Sequence, residues 1–320
     1  MNRNRLRPYL AVLTTLTLAV ATLTACGGDD AEGGPDKVTV GVIPIVDVAP
    51  IYLGQQQGFF ASRGIELSLE AGQGGSATVS GVLSGEFQFG FSNVTSLLLA
   101  AGEGVPLKVV ANGVASTGEQ GADFSAVMVK GDSPIQGPAD LAGKTVAVNT
   151  LRNIGETTVR ESIRKAGGDP TAVEFTELGF PQMAASLDAG DIDAAWVVEP
   201  FVSTITAAGG RPVAWNYADA APDLTVALYF TSTRLATENP DLAARFTAAV
   251  NESLTYASAT PDAVREILGT YTQIGADIRA AMVLPEWPTE INRASIETLL
   301  ALGKTDGIIT TDPDLDALLP

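Results

Sequence analysis

A two-lobed α/β architecture is predicted by three features of this 320-residue chain. Short apolar, β-rich runs alternate with amphipathic stretches, the mark of βαβ units around a mainly parallel sheet with covered faces. The alternation occurs as two series, with a polar loop at the start of the second. The length exceeds what one hydrophobic core usually serves, and a single cysteine leaves no internal disulfide, so stability rests on core burial.

In the first series, residues 38–43, 65–70, 87–91 and 107–110 read as strands, and 49–62, 76–83 and 94–101 as helices ended by glycine or a turn. The second opens with a strand at 126–130 and a loop at 131–137. Strands at 145–149, 173–176, 194–198 and 212–215 follow, with helices at 156–166, 181–189 and 200–208 between them. A buried strand at 225–231 comes next, and the rest is helical: 240–257, 261–271, 276–283 and 289–302. Strands 126–130 and 225–231 are expected to be crossovers, so that lobe one is 37–127 plus 226–320 and lobe two is 128–225. The helical tail is expected to pack back on lobe one. No tandem repeat is present.

Residues 1–25 carry three arginines, no acid and an apolar run at 9–23 too short to span a bilayer, closed by Leu23-Thr24-Ala25-Cys26. The segment resembles the signal peptide and lipobox of bacterial lipoproteins, which implies lipidation of Cys26 and removal of 1–25. An ordinary secretory signal with an incidental cysteine is the alternative. Residues 26–36, glycine-rich and acidic, read as a flexible tether. Beyond residue 25 the chain has 16 basic and 37 acidic residues, a formal charge of −21. That balance argues against nucleic acid and against an anionic lipid surface, so the membrane is reached through the lipid anchor alone. Histidine is absent. Imidazole-dependent triads are therefore impossible, ordinary zinc sites lose their ligands, and the absence argues against an enzyme. No metal and no cofactor is expected.

Four segments in order carry a family resemblance. Residues 38–70 read VTVGVIPIVDVAPIYLGQQQGFFASRGIELSLE, and Gly75-Ser76-Ala77 leads to the run at 83–90, LSGEFQFG. Residues 140–148 (DLAGKTVAV) and 187–201 (LDAGDIDAAWVVEPF) follow. Together they resemble solute-binding proteins of the nitrate/sulfonate/taurine class of ABC importers, related to thiamine-precursor binders. The resemblance implies a type II periplasmic-binding-protein fold, two α/β lobes closing on a ligand, with two crossover strands and a helical C-terminal tail. It implies an ABC permease and its ATPase as partners. The chain lacks a Gly-x-x-x-x-Gly-Lys-Ser/Thr loop, so that ATPase is another polypeptide.

Ligands of open α/β sheets sit beyond the carboxyl ends of the strands, where helix N-termini present free N–H groups. Five loops meet that condition. Asp47 either caps the following helix or contacts a ligand that is cationic or rich in hydroxyls. Ser76 and Ala77 lie in a glycine turn that lets backbone approach closely, and Ser92 and Asn93 end a strand and open a helix. Asn149, Arg152 and Asn153 form the matching loop of lobe two. Arg152 is the one basic residue in these loops, either a bidentate clamp for a sulfonate or carboxylate or a solvated surface group. Glu199 accepts from a ligand amine or bonds across the lobes, and Tyr229 is placed to stack on a ligand. Trp196, inside a strand, reads as core.

The family implies capture of a small organic anion of sulfonate, nitrate or carboxylate type by a monomeric, lipid-anchored protein on the extracytoplasmic face. The acids Asp47 and Glu199 dissent, favouring a neutral or cationic heterocycle such as a thiamine-precursor pyrimidine. Two rivals remain: an enzyme of the thiamine-pyrimidine synthase type, which needs a histidine donor and iron ligands and meets a chain without histidine, and a binding module that works without a transporter.

Overall fold

Two five-stranded mixed sheets organise the chain. The computed structural model describes residues 34–72 and 74–320. The expected signal peptide, Cys26 and residues 26–33 of the expected tether lie outside them, and Asp36, the last residue assigned to that tether, already begins the first strand.

The first sheet has the order β2-β1-β3-β10-β4, with β1 (Asp36–Val42), β2 (Ile65–Ala71) and β3 (Phe89–Asn93) parallel. β10 (Thr225–Ser232) runs antiparallel between β3 and β4 (Leu107–Ala115). The helices between these strands are α1 (Ala49–Gln56), α2 (Gly75–Ser84) and α3 (Val94–Gly102). The second sheet has the order β7-β6-β8-β5-β9. Here β6 (Thr145–Val148) lies parallel to β7 (Glu174–Glu177) and β8 (Ala194–Val198). β5 (Ser125–Val129) is antiparallel to both β8 and β9 (Arg211–Ala214). Its helices are α4 (Ile154–Lys165), α5 (Phe180–Ala189), α6 (Phe201–Ala207) and α7 (Asn216–Ala220). Each sheet thus takes one antiparallel strand just after the chain arrives from the other.

The boundary drawn at 127/128 passes through β5, which belongs entirely to the second sheet. The two crossings lie at 116–124 and, after α7, at 221–224. Asp123 fixes the first. Its Oδ2 accepts from Ser116 Oγ at 2.5 Å, and its Oδ1 accepts from Phe124 N at 2.8 Å and Thr117 N at 3.2 Å.

The tail comprises α8 (Thr233–Glu238), α9 (Pro240–Ala259), α10 (Pro261–Tyr271), α11 (Ala276–Ala281), α12 (Arg293–Thr305) and α13 (Leu315–Leu318). α9 packs on α1 and β4. Its Phe246 ring stacks on Phe89 with centroids 3.8 Å apart. The expectation that the whole tail lies on lobe one needs amending: α11 packs against α6, and α12 touches both α3 and α4, so the tail spans the two sheets.

Most elements fall within a few residues of their expected places, and the departures have local causes. β4 runs five residues past the expected end at 110, through Asn112-Gly113. Inside the strand, Asn112 Nδ2 donates to the Pro288 and Glu290 carbonyls at 2.7 and 2.9 Å. Gly113 allows the close approach of β10, since a Cβ there would sit 2.7 Å from the Ala227 carbonyl oxygen. The helix expected over 49–62 stops at Gln56, and Gly58 then takes φ 78°, a left-handed conformation suited to glycine. α7, α8 and α13 are too short to show a period.

Gly54 is where α1 meets α9. A Cβ on it would stand 1.8 Å from Ser253 Oγ and 2.9 Å from Ser253 Cβ, so rotating the hydroxyl does not relieve the clash. Gly54→Ala is expected to cost about 1–3 kcal/mol by overpacking, read as a lower midpoint in urea with unchanged slope.

Candidate functional site

The strand ends of the two sheets meet around a small cavity of about 30 Å³. Its first-sheet wall holds Ile43, Ile45, Asp47, Phe91 and Asn93; its second-sheet wall holds Asn149, Ile154, Phe180, Trp196 and Tyr217. No lysine or arginine lines it. The volume admits about one water, so a larger ligand enters only if the walls separate.

Asp47 is the polar centre of this cavity. It sits in a 3-10 turn, Val46–Val48, between β1 and α1, and is 3% exposed. α1 starts after Val48 with no side-chain cap bond, so Asp47 does not cap that helix. Its Oδ1 has no hydrogen-bond partner among the described residues. Its backbone carbonyl accepts from Trp287 Nε1 at 3.2 Å, which ties the turn to the tail. Burial pushes the carboxyl up to about 7; its own backbone N–H pulls the other way, and the Asp123 carboxylate adds to the rise.

The second-sheet wall is aromatic and rigidly supported. Trp196, in β8, meets Phe180 edge-on at 5.5 Å and Tyr217 at 6.1 Å. Its Nε1 donates to Ser125 Oγ at 3.0 Å, Ser125 pairs with Asn216 Oδ1 at 3.1 Å, and Asn216 Nδ2 donates to Thr158 Oγ1 at 2.7 Å. This buried chain locks the indole in one orientation. Gly155 in the first turn of α4 makes room for it, since a Cβ there would sit 2.4 Å from the ring.

The expected site residues divide into three groups. Asp47, Asn93 and Asn149 line the cavity. Asn93 also caps α3, accepting from Ser96 N at 2.9 Å. A second group lies beside it at the seam between the sheets. Ser76 and Ala77 are exposed. Ser76 lines a separate cavity of about 310 Å³ together with Arg152 and Asn153. Asn153, 2% exposed, donates from Nδ2 to Ser96 Oγ across the seam at 2.9 Å. Arg152 does not face the central cavity; its Nη2 donates to the Gly307 carbonyl at 2.7 Å.

The third group is inside the fold. Ser92 is fully buried and bonds the Asn93 carbonyl at 3.4 Å. Tyr229 packs on Phe91 at 5.2 Å and Phe246 at 6.2 Å, in core rather than on a cavity wall. Burial raises its hydroxyl well above the usual phenol range, with Tyr52 and Asp47 adding to the rise. Glu199 is 1% exposed and accepts from Ser203 N at 3.0 Å, Ser203 Oγ at 2.7 Å and Val283 N of the tail at 3.2 Å. Burial raises its carboxyl, while those donors and Arg265 oppose the rise. Its side-chain bonds thus run to the start of α6 and to the tail.

Sequence reasoning missed Trp196, Phe180 and Tyr217 as cavity residues. For Trp196 a signal existed, because it lies near the carboxyl end of a strand, where ligands of such sheets sit. Among the described residues no group of three or more His, Cys, Asp or Glu is placed to hold a metal ion, and no helix is long and apolar enough to cross a membrane.

A family model described as NMT1/THI5 like matches residues 45–264, which include every cavity-lining position except Ile43. The chain belongs to this family. Among curated proteins, this NMT1/THI5-like chain is 25% identical over 316 residues to the riboflavin-binding protein RibY of Chloroflexus aurantiacus, covering 93% of this chain and 84% of RibY. Among solved structures, it resembles the ligand-binding component of an ABC-type import system from Staphylococcus aureus with zinc bound. That match has TM-score 0.77 and 15% identity, and covers 89% of this chain and 96% of the other. It also resembles the alkanesulfonate-binding protein SsuA from Xanthomonas axonopodis pv. citri bound to MOPS, with TM-score 0.76, 17% identity and coverage of 90% and 100%. The fold is therefore the two-lobed type II periplasmic-binding-protein fold, as the sequence resemblance implied.

Because the folded Asp47 carboxyl keeps its proton up to about pH 7, it disfavours folding progressively as pH rises from about 4 to 7 and fully above that. Asp47→Asn removes this penalty. The variant is expected to be more stable than the parent at pH 8, by at most roughly 4 kcal/mol, with the difference vanishing near pH 4. Thermal unfolding of both proteins across that range checks it.

Proposed function

We propose that this protein is the extracytoplasmic ligand-capturing component of an ABC-type import system, held to the membrane by a lipid on Cys26 and acting as a monomer. The lobes separate about the crossings at 116–124 and 221–224, admit a small molecule to the cavity and close on it. Handover to a permease follows, driven by an ATPase on another chain. No bond is made or broken. The family, the fold of the solved relatives and the absence of histidine support this reading over an enzymatic one.

The ligand this site suits is planar and aromatic, neutral or cationic, with an N–H to give. The observation that carries this choice is Asp47 Oδ1, buried and unpartnered in a cavity walled by Phe91, Phe180, Trp196 and Tyr217. Leaving such an acceptor unpaired costs about 1–3 kcal/mol, which a ligand N–H recovers. An organic anion fares worse here, because no cation lines the cavity and Arg152 is engaged elsewhere. The name of RibY points the same way, since a flavin is a planar ring with an imide N–H.

Isothermal titration of the protein with riboflavin, aminopyrimidines, alkanesulfonates and nitrate tests the reading. A heterocycle is expected to bind, to quench Trp196 fluorescence and to lose tenfold or more in affinity in Asp47→Ala, a charge-assisted hydrogen bond being worth roughly 1.5–3 kcal/mol. Tight binding of a sulfonate or nitrate that is indifferent to Asp47→Ala contradicts the heterocycle assignment.

A further inference from the structure

Contact between the two lobes extends well beyond the cavity. α4 starts at the cavity loop and runs outward against both α3 and α12. Near its far end Arg164 places Nη2 2.6 Å from Asp306 Oδ1, and the Asp306 side chain is only 6% exposed. Before its near end, Arg152 donates from Nη2 to the carbonyl of the next residue, Gly307, at 2.7 Å. Two adjacent tail residues thus hold the helix at both ends.

The loop between Asn149 and α4 is itself constrained. Arg152 has φ 53°, a left-handed conformation that is costly for a residue with a Cβ and persists where surrounding contacts over-determine it. Its N–H donates to Glu156 Oε1 at 2.6 Å. Asn153, at the start of α4, is bonded across the seam to Ser96. Behind Asp306 the ionic cluster is incompletely paired, for Asp306 Oδ2 and Arg160 Nε are both buried without a partner among the described residues. Groups of this kind are fully satisfied by water once a seam opens, so the closed contact is poised to release.

We propose that residues 306–307 are a strap that holds α4, and with it the cavity loop 149–153, in the closed position. Arg164 and Arg152 are its positioning residues on the second lobe, and neither touches the ligand. The strap sets the balance between closed and separated lobes, and through it the rate at which a ligand leaves. It rests on the capture reading only in that the ligand leaves by lobe separation; the balance itself is measurable without any ligand.

The test uses the full chain with Cys26→Ser and spin labels at Glu66→Cys and Glu174→Cys, exposed on the outer strands β2 and β7. Pulsed dipolar distances and the X-ray scattering radius of gyration report lobe separation. Asp306→Asn and Arg164→Gln are each expected to raise the separated fraction several-fold. The double variant goes no further than either single one, because the two residues share one contact. Any ligand that binds then leaves several-fold faster with its association rate nearly unchanged. Unchanged distances and scattering in both single variants, with only the unfolding midpoint lowered, overturn the strap. A shift in lobe separation in a protein that binds nothing in the titration panel upholds the strap and counts against the capture reading.

Discussion

Two chain crossings govern what this molecule can do. Each lobe is a parallel sheet into which one antiparallel strand is inserted, β5 in one and β10 in the other, and those strands enter just after the crossings. The chain passes between the lobes only at those crossings, and the tail adds contacts to both sheets; hinge closure of the proposed kind turns about the crossings. The polar contacts at the joint are local and dense. Asp123 gathers donors from Ser116, Thr117 and Phe124, and burial still raises its carboxyl against their pull. The Phe124 carbonyl then accepts from Glu199 N at 2.8 Å, and the Glu199 carbonyl accepts from Val46 N at 3.2 Å. A short backbone relay thus links the first crossing, the end of β8 and the turn that carries Asp47.

The cavity inherits its character from where that relay places side chains. One wall contributes an acceptor with no partner; the opposite wall contributes aromatic rings whose positions are fixed from behind. The support comes from small and polar residues: Gly155 under the indole, and the Trp196–Ser125–Asn216–Thr158 chain holding its N–H. Rings held this way lose little further freedom when a planar ligand stacks on them, so more of the contact energy appears as affinity. On the proposed reading the discrimination falls to Asp47, because a ligand without a donor leaves its Oδ1 unsatisfied.

The fold was largely legible in the sequence because buried parallel strands leave nearly continuous apolar runs and the helices between them are amphipathic. β5 and β10 were also legible as apolar strands flanking the second series, though the crossings themselves lie in the segments before them. What failed did so locally. The expected strand stops at 110, because the tail carbonyls that receive Asn112 are known only from the fold, and the tail's hold on α4 depends on tertiary contacts with no local signature. The site was harder to read. Loops at strand ends pointed to Asp47, Asn93 and Asn149, but nothing in a single sequence says which way Arg152 turns, or that Glu199 serves the tail. Trp196 and Phe180 are apolar residues in apolar surroundings, and only the meeting of two walls makes them a site.

The most direct measurement is the titration of Asp47 itself, followed through the 13Cγ chemical shift of the labelled protein without ligand. The account predicts a midpoint near 7, because the carboxyl is buried and its Oδ1 has no partner. A midpoint near 4, the ordinary range for a solvated aspartate, would show that water or a donor already satisfies the group. The cavity would then hold no waiting acceptor, and the assignment of its ligand would fall.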